Sequence, residues 1–147
     1  MPSVELWQAA TSRGNVLTTE LNSLADAAST VVSSAIDNSV NLDIFAVAVL
    51  SVTYGSAPNL DSICSLFAVC APDGTNYENG SNSVRYPEDS FVGVFQLFNV
   101  TSAQILVTKP FELRPFKTKF ALKNSAGQSM AASGNTVALF TFNRTIG

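Results

Sequence analysis

Residues 116–123 read Phe-Lys-Thr-Lys-Phe-Ala-Leu-Lys, and this strict alternation restricts the fold more than any other stretch. Successive side chains of a strand point to opposite faces. Phe116, Thr118, Phe120 and Leu122 therefore share one face, and Lys117, Lys119, Ala121 and Lys123 share the other. The pattern predicts a half-buried strand with a wet outer side.

Segments of the same character recur between turn signals. Residues 30–36 are rich in β-branched side chains and end at the turn cluster Asp37-Asn38-Ser39. Residues 43–53 are apolar at both parities, which predicts a central strand covered on each side. Residues 63–71, 91–98, 104–108 and 136–143 complete the series, with a proline- and glycine-bearing polar stretch from Pro72 to Asp89. The fold expected is all-β, a single antiparallel β-sandwich of about seven or eight strands. Residues 17–28 stay open: Leu17, Leu21, Leu24 and Ala28 fit a helix, yet Leu17, Thr19, Leu21 and Ser23 also alternate. The surrounding strands favour a strand followed by a turn at Ala25-Asp26-Ala27.

A chain of 147 residues suits one domain. Residues 1–15 read as an N-terminal arm and residues 16–147 as the sandwich. Apolar residues make up 46% of the chain and charged ones only 13%, against about 25% charged in typical soluble domains. Serine, threonine and asparagine must cover much of the exterior, or apolar surface must be buried on a partner. Net charge is −3 and no basic run occurs. Lys117, Lys119 and Lys123 form at most a short stripe, so no nucleic-acid partner is expected. The longest apolar run, Ile44 to Leu50, is far short of a spanning helix, and no basic flank with an apolar segment opens the chain. Neither a membrane partner nor a signal peptide is expected, so the triplets at Asn79, Asn99 and Asn143 should carry no glycan.

Chemistry has few places to reside. The chain has no histidine, which removes Ser-His and Cys-His nucleophiles and most zinc sites. No glycine-rich loop with Gly-Lys-Ser/Thr cradles a phosphate. Cys64 and Cys70 lie on one strand, about 20 Å apart at 3.3 Å per residue, too far for a disulfide. Adjacent Glu88 and Asp89 point apart, while Asp73 and Glu78 share a loop that reads as a solvated turn, with a calcium site or an acid/base pair as lesser options. The expectation is a protein with no catalytic residues, no cofactor and no metal.

Aromatic side chains in loop-like or terminal sequence offer contacts instead. Tyr54, Tyr77 and Tyr86 either cap the sandwich or stack on a ligand such as a sugar. Val4, Leu6 and Trp7 of the arm, with Phe111, Leu113 and Arg114 of a proline-bounded, non-alternating stretch, are the candidate contacts with a subunit or partner.

Several segments in order carry a resemblance: Thr19-Glu20-Leu21-Asn22-Ser23-Leu24, Ser33-Ser34-Ala35-Ile36-Asp37-Asn38-Ser39, Pro72-Asp73-Gly74-Thr75-Asn76-Tyr77, Lys119 to Asn124 and Ala131 to Thr136. Together, over about residues 14 to 143, the chain resembles small tailed-phage capsid decoration or cement proteins. That resemblance implies a jelly-roll-like β-sandwich, made in the host cytoplasm and placed on the outer surface of the virion. It also implies assembly as a homo-oligomer, a dimer or trimer, that binds the major capsid protein and bridges its subunits. A carbohydrate- or receptor-binding virion module is the alternative, with Tyr54, Tyr77 and Tyr86 as stacking residues.

Overall fold

Alternation becomes architecture in a computed structural model that describes residues 5–78 and 86–146. Eleven strands occur among the described residues: β1 (Glu5–Trp7), β2 (Thr11–Leu17), β3 (Ile36–Asp37), β4 (Phe45–Val52), β5 (Ile63–Ala71), β6 (Phe91–Gln96), β7 (Gln104–Val107), β8 (Phe111–Glu112), β9 (Lys117–Ser125), β10 (Thr136–Phe142) and β11 (Arg144–Ile146). One sheet has the order β2-β10-β4-β7, with β8 also pairing to β4, and the other β3-β9-β5-β6. Every pairing is antiparallel. β2, β3, β4 and β5 therefore pair in reverse with β10, β9, β7 and β6, the pattern of a hairpin ribbon rolled up on itself. This is the jelly roll, a two-sheet solution to burying one face of each sheet.

Register assigns each face. On β9, Thr118, Phe120, Leu122 and Asn124 are buried, while Lys117, Lys119 and Lys123 lie outward, as their alternation requires. Phe120 and Leu122 meet Leu50, Leu66, Phe95 and Leu139 in the core between the sheets. Each such side chain contributes about 1.5–3 kcal/mol when fully buried. Cys64 and Cys70 share the inward face of β5 opposite Asn124 and Thr118, and both remain free thiols.

Two segments depart from the expected pattern. Residues 30–36 run beside β9 but contribute only Ile36 to a strand, the two-residue β3. The reason is local competition: Thr30 Oγ1 accepts from Leu122 N–H at 3.0 Å and Ser33 Oγ from Phe120 N–H at 2.9 Å. Side-chain hydroxyls thus occupy donors that a ladder would use. Residues 17–28 are neither one strand nor a helix. β2 ends at Leu17, a single 3-10 turn spans Thr19–Leu21, and the chain turns again near Asp26. Leu17, Leu21 and Leu24 all reach the core.

The boundary expected after residue 15 falls inside β2. Residues 11–15 belong to the first sheet, and residues 5–7 pair with β11. The arm is thus a two-stranded ribbon made from both ends of the chain. At the opposite end of the sandwich, the turn after β9 depends on Gly127. Its φ is +74°, and a Cβ there would sit 2.1 Å from the Asn59 amide nitrogen.

Candidate functional site

The end of the sandwich where β4 begins and β10 finishes gathers exposed apolar side chains on a rigid frame. The loop from Asn38 to Ile44 presents Val40, 80% exposed, and Leu42, 58% exposed. It is held from within. Asn38 is buried; its Nδ2 donates to Asp43 O at 2.8 Å and Arg114 O at 3.0 Å, and its Oδ1 accepts from Asp43 N–H at 3.0 Å. Leu42 adopts a left-handed φ of 53°, with its N–H bonded to Asn38 O. A bulky residue in that region is strained, and the asparagine clamp holds it there.

Asp43 ties the same loop to β2 and to the end of β10. Its carboxylate takes hydrogen bonds from the Arg13 guanidinium and, at 3.2 Å, from Asn143 Nδ2. Arg13 Nε also donates to Thr141 Oγ1 at 2.9 Å. Burial opposes the charged form of Asp43, but bonds from Thr141, Arg13 and Asn143 with the Arg13 charge outweigh it, and its carboxyl is held below the usual range.

The ribbon of β1 and β11 lies against this end. Trp7 packs on Phe45 and Phe142 with ring centroids 5.8 and 5.6 Å away, and those two rings stack at 5.6 Å. The Arg144 guanidinium lies 5.4 Å from the Trp7 ring and pairs with Glu5. Trp7 nonetheless remains 63% exposed, beside Leu6 and Ile146. Leu6, Trp7 and Ile146 on the ribbon and Val40, Leu42 and Ile44 on the loop make up the exposed apolar foot of this end, with Leu6 facing away from Trp7 by strand alternation. Leu6 and Trp7 were candidates from sequence; Val4 lies outside the described residues.

The other candidates divide. Phe111 is half-buried, its ring 6.4 Å from Phe120, and Leu113 is buried with its N–H bonded to Ile44 O at 2.8 Å. Leu113 is therefore core, not a contact residue: the prolines that suggested a free loop flank a two-residue strand on β4. Arg114 is exposed at the rim of a cavity of about 280 Å³ at this end. Cys70 and Thr118 line that cavity with their Sγ and Oγ1 3.6 Å apart, and Glu78, Asp89 and Glu112 stand around it.

The tyrosine candidates for ligand stacking are mostly spent inside. Tyr54 is 1% exposed, its hydroxyl donating to Asn124 Oδ1 at 3.2 Å. Tyr86 is 2% exposed and donates to Thr30 O at 2.8 Å. Neither face can stack on a ligand. Tyr77 is half-buried with Lys119 Nζ 4.2 Å above its ring. Tyr77, Tyr86 and Val32 pack with Phe67, Val69 and Ala121 on the outer side of the second sheet. Asp73 accepts from Thr75 N–H, Asn76 N–H and Asn76 Nδ2, and these bonds lower its pKa. Both its oxygens are engaged in shaping the turn.

The first sheet differs from the second in its outer side. On β4, Phe45, Val47 and Val49 alternate with the core residues and point outward. Phe142, Phe140 and Ala138 of β10 lie directly beside them, and Val107 of β7 lies beside Val49. Val107 and Ile105 are 58% and 74% exposed. Sequence reading missed this face, although its signal, apolar residues at both parities of residues 43–53, was recognised. The strand is central, but among the described residues only its inner side is covered by the core. No known family model matches the chain, and no curated protein matches it significantly.

Proposed function

We propose that this chain is a structural virion protein, a capsid cement or decoration protein that binds the outer capsid lattice and bridges major-capsid subunits. The observation that carries this reading is the foot. Leu6, Trp7, Val40, Leu42, Ile44 and Ile146 are between 47% and 80% exposed and are carried by the ribbon and by the loop before β4, which meet where Trp7 packs on Phe45. Exposed apolar groups gathered in one place mark interaction sites. The Asn38 and Asp43 clamps hold their loop, so little ordering entropy is lost on docking. The jelly roll agrees, since such domains recur in viral shells, although a fold alone does not define a function. Many copies on a lattice add weak contacts into avidity. The role needs no catalytic group, cofactor or metal. The carbohydrate-binding reading loses its support with Tyr54 and Tyr86 inside the protein.

The test is co-sedimentation of purified protein with capsid shells of the same virus that lack it. Wild type should pellet with the shells and raise their resistance to heat. Leu42→Asp and Trp7→Ala should each weaken binding at least about tenfold while the far-ultraviolet spectrum stays that of a β protein. A wild-type protein indifferent to shells would end the proposal. Foot variants that bind as well as wild type would do the same.

A further inference from the structure

We infer that Arg144 is a positioning residue: it seats the ribbon of β1 and β11 on the sandwich and so aims Trp7 and Leu6 for docking. The ribbon is anchored at its root. Gln8 N–H donates to Asn143 O at 2.9 Å, and Asn143 Oδ1 accepts from Ile44 N–H at 2.7 Å on the loop before β4. Beyond the root, β1 and β11 pair only with each other among the described residues, over three residues apiece, and all six are exposed. Two short strands alone are marginal in water. Side chains must therefore set where the ribbon lies.

Register puts the seating groups on one face. Trp7 stands directly opposite Arg144, and Glu5 shares the parity of Trp7. The Arg144 guanidinium donates to Glu5 at 3.3 Å and lies 5.4 Å from the Trp7 ring and 5.2 Å from the Phe45 ring. It thus lies against both sides of the joint, since Trp7 belongs to the ribbon and Phe45 to β4. Trp7 closes the joint on Phe45 and Phe142. With that face turned to the sandwich, the opposite one carries Leu6 away from it, 54% exposed. A planar guanidinium stacks on aromatic faces; a lysine there would keep the charge but not the plane. An exposed cation–π contact is worth about two- to fivefold in an equilibrium. Two rings and one ion pair therefore bias the seat by roughly tenfold.

The inference rests on the proposed function for what the ribbon docks against, but the seat itself is measurable on the isolated protein. Trp7 is the chain's one tryptophan, so its fluorescence reports the ribbon alone. Arg144→Ala should lower the anisotropy of that emission and raise its quenching by acrylamide about 1.5-fold, as the seated fraction falls. The urea midpoint should not move, because the ribbon lies outside the core. Arg144→Lys should recover part of both changes. An unmoved Trp7 signal in Arg144→Ala would overturn the inference, as would a lysine variant indistinguishable from alanine. A lowered urea midpoint would do so too, since the residue would then be structural. Co-sedimentation with capsid shells should weaken about fivefold in Arg144→Ala, through lost preorganisation. If Trp7 loosens yet shells bind as before, the positioning role is overturned and the cement reading survives on the loop before β4. If wild type ignores shells while Arg144→Ala still loosens Trp7, the cement reading fails and the seat stands.

Discussion

Replacing Asn124 with leucine should cost about 4 kcal/mol of stability, and the number follows from where its hydrogen bonds go. Asn124 is fully buried on the inward face of β9. Its Nδ2 donates to Leu24 O, Ala25 O and Gln128 O at 3.0, 3.3 and 2.8 Å, and its Oδ1 accepts from Tyr54 Oη and Ala126 N–H at 3.2 Å each. Leu24 O and Ala25 O keep second partners, the N–H groups of Met130 and Ala28. The groups left alone are the buried Ala126 N–H, the half-exposed Gln128 O and the Tyr54 hydroxyl, which retains only Cys64 Sγ at 3.5 Å. An unsatisfied buried group costs about 1–3 kcal/mol. Taking about 2 for the first and about 1 for each of the others gives about 4 kcal/mol, or roughly 10 °C in Tm for a domain of this size. Urea denaturation followed by circular dichroism should show a lower midpoint at unchanged m-value. Tyr54→Phe should cost about 1 kcal/mol, and the double variant should cost less than the sum of the two. A loss below about 1 kcal/mol for Asn124→Leu would refute the reasoning, because it would mean that water replaces the amide.

Other consequences can be checked as directly. Burial pushes the Cys64 thiol up to about 11, whereas Cys70 is partly exposed. A thiol reagent at neutral pH should therefore modify at most one cysteine in the native protein and two in denaturant. Asp43 is held below its ordinary value of 3.8, so its ionised form favours the folded state. That stability is present above the unfolded pKa and is lost as pH falls through the lower folded one. Asp43→Asn should be less stable at neutral pH and should flatten the loss of stability below about pH 4. Gly127→Ala should destabilise by at least about 1 kcal/mol, since φ is +74° and Asn59 stands in the way.

The legible part of this fold was the part written in period two. β9 was readable because Phe120 and Leu122 alternate with Lys117, Lys119 and Lys123, and the register found puts the apolar parity inside; β5 and β10 were readable as runs of apolar strand formers between turns, with apolar residues on both faces. Residues 30–36 were misread because Thr30 and Ser33 look β-prone yet use their hydroxyls in place of ladder acceptors. Leu113 was misread because two flanking prolines resemble a loop, and nothing local shows that β8 lies on β4. For Tyr54 and Tyr86 the sequence left packing on the sandwich and ligand stacking both open, and burial decides for packing. A tyrosine beside turn residues gives no sign of whether a distant carbonyl or amide waits for its hydroxyl, and here Thr30 O and Asn124 Oδ1 do.

Trp7 and Leu6 stood in the sequence without a visible partner, and the structure gives them one in β11. Apolar residues without a periodic partner in the sequence have to find one in space, and Trp7 finds Phe45 and Phe142 while staying largely exposed. The same argument applies to β4 with more force. Its two parities are both apolar, which in a parallel sheet would signal helices on each side. In an antiparallel jelly roll one side is the core, and covering the other falls to a loop or to another molecule. The second sheet uses Tyr77 and Tyr86 for that purpose. Val47 and Val49 lack such a cover among the described residues, so their apolar character is explained by a neighbour or by nothing in the chain. A solvated face would tolerate glutamate at both positions without consequence for assembly, and that difference separates a face selected for contact from one that is merely apolar.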